Sequence, residues 1–306
     1  MAKLNSITPL ITVIIPTFNR GYCIKRCINS VLSQSYEKLE CIVIDNNSFD
    51  DSRKIFNSIK DARFKFYYIN NDNIIAKSRN YGIRKSNGEL VAFLDSDDWW
   101  ERDKLEKTLL EISKGADVTY HNLQIEYINK NKNFFKRKFL ISKEIKGNSF
   151  KYLINKGNPI PLSSVVIKKR ILLEVGGFDE NKNLSGAEDY YLWIKLALKN
   201  CKFKKVNLSL GYYSIGYDSF TSSKKATIYF NEIFKNLFNK KLIRNEEIPS
   251  WAEFSIGYIY FKEGNLKASF SKALKSILKL NPITSLKSIV LIILIFKSYL
   301  KKHLKN

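Results

Sequence analysis

The sequence predicts an α/β protein, a doubly wound and mostly parallel sheet flanked by helices, followed by an all-helical C-terminal region. Three observations carry that expectation. From residue 10 onward, apolar runs of strand length alternate with segments of helical period. Those runs end in polar clusters, as strands that deliver residues to a site do. Beyond about residue 219 only helical periodicity remains, so residues 1–218 are expected to form one unit and residues 219–306 a second.

Leu10 to Ile15 reads as a buried strand stopped at Pro16. Ile24, Cys27, Ile28, Val31 and Leu32 then share one helical stripe, and Glu40 to Asp45 returns as a strand. A helix with Ile55, Phe56 and Ile59 inward follows, capped near Asp50 or Asp51. Phe64 to Ile69 is the third strand, and a short helix through Arg79 and Ile83 ends at the Asn87-Gly88 turn. Leu90 to Leu94 makes a fourth strand that runs directly into Asp95-Ser96-Asp97-Asp98.

After a helix carrying Leu105, Leu109 and Ile112, residues 128–148 are lysine- and asparagine-rich without period and read as an exposed insertion. Ser164 to Ile167 is a strand, Lys169 to Val175 a helix, Gly176-Gly177 a turn and Asp189 to Leu198 an amphipathic helix. Trp251 to Pro282 resembles a tetratricopeptide-type helix pair, with Gly257, Tyr260, Gly264, Ala268, Phe270 and Ala273 near that motif's usual places. A single repeat leaves an apolar face uncovered, so the pair should pack on the first unit, on a helical partner or on a second copy. Behind it, Leu286, Ile289, Val290, Ile293 and Phe296 recur at helical spacing, with Lys297, Lys301, Lys302 and Lys305 crowding the end.

Composition limits the function classes. Hydrophobic residues make up 44% of the 306 and aromatics 13%, enough for a packed core, which excludes a disordered chain. A formal charge of +23 points to an anionic partner, whether nucleic acid, a phospholipid surface or a phosphorylated substrate; a lysine-rich solvated surface would read the same way. Cysteines 23, 27, 41 and 201 have neither zinc spacing nor the density of a disulfide framework, and Cys23 and Cys27 read as small buried residues of a reducing compartment. The first ten residues lack the features of a signal peptide. The apolar run Ile289 to Phe296 has eight residues, short of the roughly 20 that span a bilayer core. The expectation is a cytoplasmic protein.

Ligands of open α/β sheets bind beyond the carboxyl ends of the strands. Three such ends are informative here: Pro16-Thr17-Phe18-Asn19-Arg20, Asp45-Asn46-Asn47-Ser48 and the acidic cluster at 95–98. There is no GxGxxG in the first turn and no GxxxxGK[ST] anywhere, which counts against a dinucleotide enzyme and a P-loop enzyme. Aspartates 95, 97 and 98 would repel one another unless a cation sat among them, and hard carboxylate oxygens beside a phosphate suit Mg²⁺ or Mn²⁺. They could equally cap the next helix. Asp189, beside Glu188 at a helix start, can accept the proton of an attacking hydroxyl or can serve as an N-cap. Trp99, Trp100 and Tyr190 lie close to a sheet edge, where aromatic residues more often fill the core.

Six segments in this order, ITVIIPTFNR, VIDNNSFDDS, AKSRNYGI, FLDSDDWW, VGGFDE and GAEDYYLWIKLA, resemble the family 2 glycosyltransferases of GT-A fold, from about residue 10 to 215. The resemblance implies an inverting, metal-dependent transfer of a sugar from a nucleoside diphosphate to an acceptor hydroxyl in bacterial surface polysaccharide synthesis. By the same resemblance Pro16, Phe18 and Asp45 hold base and ribose, Thr17, Asn19, Asn46 and Ser96 belong to the nucleotide-sugar site, Arg79 approaches the diphosphate, Asp95 contacts ribose or metal, and Asp97 ligates Mg²⁺ or Mn²⁺. Asp189 matches the family's catalytic base, with Glu188, Trp99, Trp100 and Tyr190 toward the acceptor. One departure concerns the base: Asn46 stands where the family often has Asp, although its carbonyl can still accept the imide hydrogen of uracil or thymine. A UDP-sugar is the expected donor and a dTDP-sugar the alternative.

Two other classes compete. A basic nucleic-acid-binding protein fits the charge, but carboxylates at strand ends would repel a phosphate backbone, and metal-free, steeply salt-dependent binding would be its mark. A catalytically inactive scaffold of a glycan-assembly complex would have no need of Asp95, Asp97 and Asp189 together. Residues 219–306 carry sixteen Lys or Arg against five Glu, so the terminal basic amphipathic helix is expected to lie on the anionic inner face of the membrane, where a glycan or lipid-linked acceptor would be found.

Overall fold

A computed structural model of the chain describes residues 8–128, 138–216, 222–244 and 246–303. Strands β1 (Ile11–Thr17), β2 (Leu39–Asp45), β3 (Phe64–Tyr68) and β4 (Leu90–Phe93) form a parallel half-sheet in the order β3-β2-β1-β4. Helices α1 (Ile24–Leu32), α2 (Ser52–Ser58) and α3 (Ile75–Lys85) make the crossovers. Because successive strand side chains point to opposite faces, Ile11, Val13 and Ile15 pack with Ile24, Cys27, Ile28 and Phe56, whereas Ile14 packs with Ala76 and Ile83. Helices therefore cover both faces. The approach of α3 to β1 is close enough that a Cβ on Gly82 would come within 2.6 Å of the Ile14 side chain.

Pro16 does not stop the first strand, which continues to Thr17. Thr17 and Ile11 bond toward β2, while Leu10 and Ile14 bond toward β4, so the nitrogen of Pro16 faces β4. There β4 has already ended at Phe93, and no ladder bond is lost.

The sheet continues through strands that periodicity did not reveal, save the one expected over 164–167. After β5 (Trp99–Trp100) and α4 (Lys104–Ser113) come β6 (Val118–Tyr127), β7 (Phe139–Leu140), α5 (Ser149–Lys156), β8 (Val166–Lys168), α6 (Lys169–Glu174), α7 (Glu188–Leu198) and β9 (Phe203–Ile215). The nine described strands make one mixed, mostly parallel sheet, ordered β3-β2-β1-β4-β8-β6-β9-β5, with β7 beside β6. The expected insertion is smaller than 128–148, since β7 and the cap of α5 lie within it; residues 129–137 fall outside the described set. The strand expected over 164–167 is Val166–Lys168, antiparallel to both β4 and β6 and preceded by a 3-10 turn over Leu162–Ser164.

Helix α7 is not amphipathic but buried nearly all round, from Tyr190 to Ala197 save Lys195. The cause lies beyond the last strand. Helices α8 (Ser223–Asn239) and α9 (Ser250–Lys262) bring Tyr229, Phe230, Phe234 and Ala252 into the same core as Tyr190 and Trp193. Trp251 donates its indole N–H to the Ile154 carbonyl and meets the Tyr190 and Phe230 rings edge-on. The hydrophobic core thus runs past Ile215 into the helical region.

Helix α10 (Leu266–Leu278) packs on α9 where Gly257 leaves room for Ser269, whose hydroxyl donates to the Gly257 carbonyl. Helix α11 (Pro282–His303) then covers α10 through Ser288, Leu291 and Ile295. The expectation of a run too short to span is corrected: residues 282–301 are continuously helical, with mean hydropathy 1.8, long and apolar enough to cross a bilayer by length and composition. Ile283, Leu286, Ile289, Val290, Ile293 and Phe296 are exposed on it. The side chains of Lys302 and Lys305 lie outside the described set.

Candidate functional site

The carboxyl ends of β1 and β2 are tied together by their turns. Asn46 N–H donates to the Thr17 carbonyl, Asn19 N–H to the Ser48 hydroxyl, and Phe49 N–H to the Asn19 side chain. Asn19 and Asn47 adopt left-handed backbone at φ 51° and 53°, a conformation Asn tolerates well. Asp45 is 1% exposed, and its two oxygens accept from the Ser48 N–H and hydroxyl. Burial holds its carboxyl above the usual range despite those bonds. Asp45 therefore builds the turn, its carboxylate buried beneath Ser48. Asn46 is half-buried, and its side-chain oxygen already accepts from Asn71 N–H. Phe18 and the 84%-exposed Phe49 stand edge to face at 6.0 Å on the rim.

At the end of β4 the acidic cluster divides by direction. Asp98 turns inward, accepting from the Ser163 hydroxyl and from Ser214 N–H on β9; burial, then Asp95 and Asp97, push its carboxyl well up. Ser163 in turn accepts from Asp95 N–H, so one buried carboxylate fixes the backbone of the next acidic residue. Asp95, Ser96 and Asp97 line a cavity of about 480 Å³ with Pro16, Arg20 and Tyr213. Burial, and next the Asp95 charge, raise the Asp97 carboxyl. Arg79 is 3% exposed and donates to Asp95 Oδ1 at 2.9 Å and to Glu188 Oε1 at 2.6 Å. Its two terminal nitrogens thus tie carboxylates from the two sides of the cleft, while its Nε–H has no partner among the described residues.

A second cavity, of about 490 Å³, shares Asp95 and Tyr213 with the first and has Glu188, Asp189 and Asn158 on its wall. Glu188 is anchored by Arg79 and by Gly186 N–H. Asp189 accepts from Tyr190 N–H and from the Asn158 amide at 2.9 Å. Burial, and then the Glu188 charge, push the Asp189 carboxyl up to about 7. A carboxylate poised near neutrality in a cleft is placed to take a proton.

The aromatic candidates are corrected. Trp100 is buried, donating its indole N–H to the Ser163 carbonyl, and Tyr190 is buried, donating to the Leu153 carbonyl. Trp99 is covered on its faces by Tyr212, stacked at 4.7 Å, and by the Arg26 guanidinium at 3.4 Å. None of the three offers a ring to a sugar. Sequence reasoning missed Asn158, Ser163 and Tyr213. Asn158 and Ser163 lie in a loop without period, and Tyr213 lies on a strand that periodicity did not show.

No group of three or more His, Cys, Asp or Glu able to hold a metal occurs among the described residues. Mg²⁺ and Mn²⁺ do not require one, since such ions are commonly held by one or two carboxylates plus substrate phosphate and water. Asp95 and Asp97, on one cavity wall and with the Asp95 charge helping to raise the Asp97 carboxyl, fit that donor set.

Residues 12–168 match the family model described as glycosyl transferase family 2. Two Escherichia coli relatives, WfaP and WfgD, are described as UDP-Glc:alpha-D-GlcNAc-diphosphoundecaprenol beta-1,3-glucosyltransferases. WfaP is 29% identical over 74% of this chain and 86% of its own, and WfgD 30% over 70% and 81%. The crystal structure of S. aureus TarS 1-349 in complex with UDP-GlcNAc superposes with TM-score 0.57 at 17% identity, covering 95% of this chain and 92% of that one. That likeness is one of fold.

Proposed function

The chain belongs to glycosyl transferase family 2 and is a glycosyltransferase, and on that premise we propose that it moves a sugar from a UDP-sugar to a hydroxyl of a glycan or lipid-linked glycan, with inversion. The observation that carries this reading is Asp189, a carboxylate near neutrality on the wall of a cavity that joins a second, carboxylate-lined cavity at Asp95 and Tyr213. The donor occupies the cleft of Pro16, Ser96 and Asp97, with Phe18 on its rim, and the acceptor the cleft of Glu188 and Asp189.

As the acceptor oxygen attacks the anomeric carbon, its proton passes to Asp189, and the bond to the diphosphate breaks on the opposite face. Asn158 fixes the orientation of the Asp189 carboxylate. Arg79, bonded to Asp95 and Glu188, keeps the two clefts in register. Asp95 and Asp97 would hold Mg²⁺ or Mn²⁺, which when bound offsets negative charge on the departing diphosphate. UDP is favoured over dTDP by the donors that the two E. coli relatives' descriptions state.

The same reading places the enzyme at the inner face of the membrane in bacterial surface polysaccharide synthesis. Its support is the exposed apolar surface of α11 and the basic surplus of the C-terminal region. A panel of UDP-, dTDP- and GDP-sugars, assayed for hydrolysis with Mg²⁺, Mn²⁺ or chelator, tests the reaction. Metal-dependent turnover of a UDP-sugar is expected, and preference for a GDP-sugar, or full turnover in chelator, would overturn the assignment.

A further inference from the structure

The acceptor-side cavity has a chemistry that a neutral sugar does not need. Besides Glu188 and Asp189 it is lined by Lys143, Lys156, Leu140 and Ile141. Lys156 ends α5, and Lys143 lies three residues past β7 on a loop whose backbone is fixed there by the Tyr120 hydroxyl donating to the Lys143 carbonyl. Both lysines are exposed, and neither takes part in an ion pair of 4.0 Å or less among the described residues. The carboxylates on the same cavity are otherwise engaged. Asp95 and Glu188 share Arg79, and Asp189 is bonded by Asn158 and Tyr190 N–H. The two ammonium groups are therefore left for a ligand. Beside them Ile141 is 59% exposed, an apolar lip on a basic mouth.

We propose that Lys143 and Lys156 bind the diphosphate of a lipid-linked sugar acceptor, with Leu140 and Ile141 receiving the first carbons of the lipid. The inference rests on the proposed transfer reaction and deepens it by assigning the acceptor's anionic group to named residues. The donor's own diphosphate belongs to the other cavity, where Arg20 and the Asp95–Asp97 pair lie. Lysine suits this task because it is a compact point charge that meets phosphate oxygens without fixed geometry.

The test measures binding of decyl diphosphate, decyl glucoside and monomeric short-chain phosphatidylglycerol to the full chain saturated with UDP and Mg²⁺, so that the donor cleft is filled. The diphosphate should bind at least about tenfold tighter than either of the others, since only it offers both ammonium groups a multiply charged partner. A Lys143→Ala/Lys156→Ala variant should lose that margin with UDP affinity unchanged, and Lys143→Arg/Lys156→Arg should keep most of it. Equal binding of phosphatidylglycerol would reassign the lysines to lipid headgroups. An unchanged diphosphate affinity in the alanine variant would overturn the inference while leaving the reaction intact. Loss of the reaction itself would show separately, as a parent protein that hydrolyses no nucleotide sugar.

Discussion

Glu40 and Asp189 are buried-side carboxylates at opposite ends of one sheet, and their surroundings set them to different tasks. Glu40, near the start of β2, accepts from the Thr12 hydroxyl, from Asn87 N–H and side-chain amide, and from Lys65. Burial acts to raise its carboxyl, yet those bonds outweigh it and leave the group below its usual range. Asp189, at the start of α7, has two hydrogen bonds, a carboxylate neighbour and an open cavity, and lies near 7. Saturation with donors makes a carboxylate structural. Leaving it short of donors keeps its proton exchangeable.

The comparison can be broken most severely at the functional end. Asp97→Ala should abolish transfer and metal-dependent UDP binding while leaving the melting temperature at or above that of the parent, because a raised, half-buried carboxylate does not stabilise the fold. Calorimetry with UDP and Mn²⁺, beside a thermal scan, checks both halves. Asp189→Asn should reduce turnover at least about 100-fold with donor affinity retained, the ordinary scale of a general base. Equal losses in affinity and turnover would make Asp189 a binding residue.

Glu40→Gln should do the reverse, costing about 1–3 kcal/mol of stability, since buried donors lose their acceptor, with turnover per folded molecule unchanged. Urea unfolding and an activity assay on the same samples separate the effects.

The parallel half of the sheet was legible because its strands are short, apolar and punctuated, and because helices of clear period intervene. The other half was not. Strand β6, VTYHNLQIEY, buries polar His121 inside the sheet and has no alternation to read, and β9 spreads its apolar residues among lysines. At the site, types and positions of the carboxylates were readable, but their directions were not. Asp45 and Asp98 sit in the same strand-end clusters as the cavity-lining residues, and only the positions of Ser48, Ser163 and Ser214 show that they turn inward. Trp100 and Tyr190 became core residues through Ser163 and Leu153, partners remote in sequence.

A smaller effect sharpens the contrast through stability against pH. Asp189 has a folded value raised to about 7, so its contribution is complete below the ordinary carboxylate value near 4 and is lost as pH rises through 7. The Asp189→Asn variant should accordingly gain on the parent in melting temperature between pH 4 and pH 8. Glu40 is lowered, so its contribution is present above the ordinary carboxylate value and is lost as pH falls, and Glu40→Gln should approach the parent only in acid.

The most direct test of the account is the pH dependence of transfer under single-turnover conditions with saturating UDP-sugar and Mn²⁺. If Asp189 is the base, the rate should fall tenfold per pH unit below an inflection near 7, and the inflection should move down when Glu188→Gln removes the neighbouring negative charge. A rate that stays flat down to pH 5 in the parent would contradict the assignment.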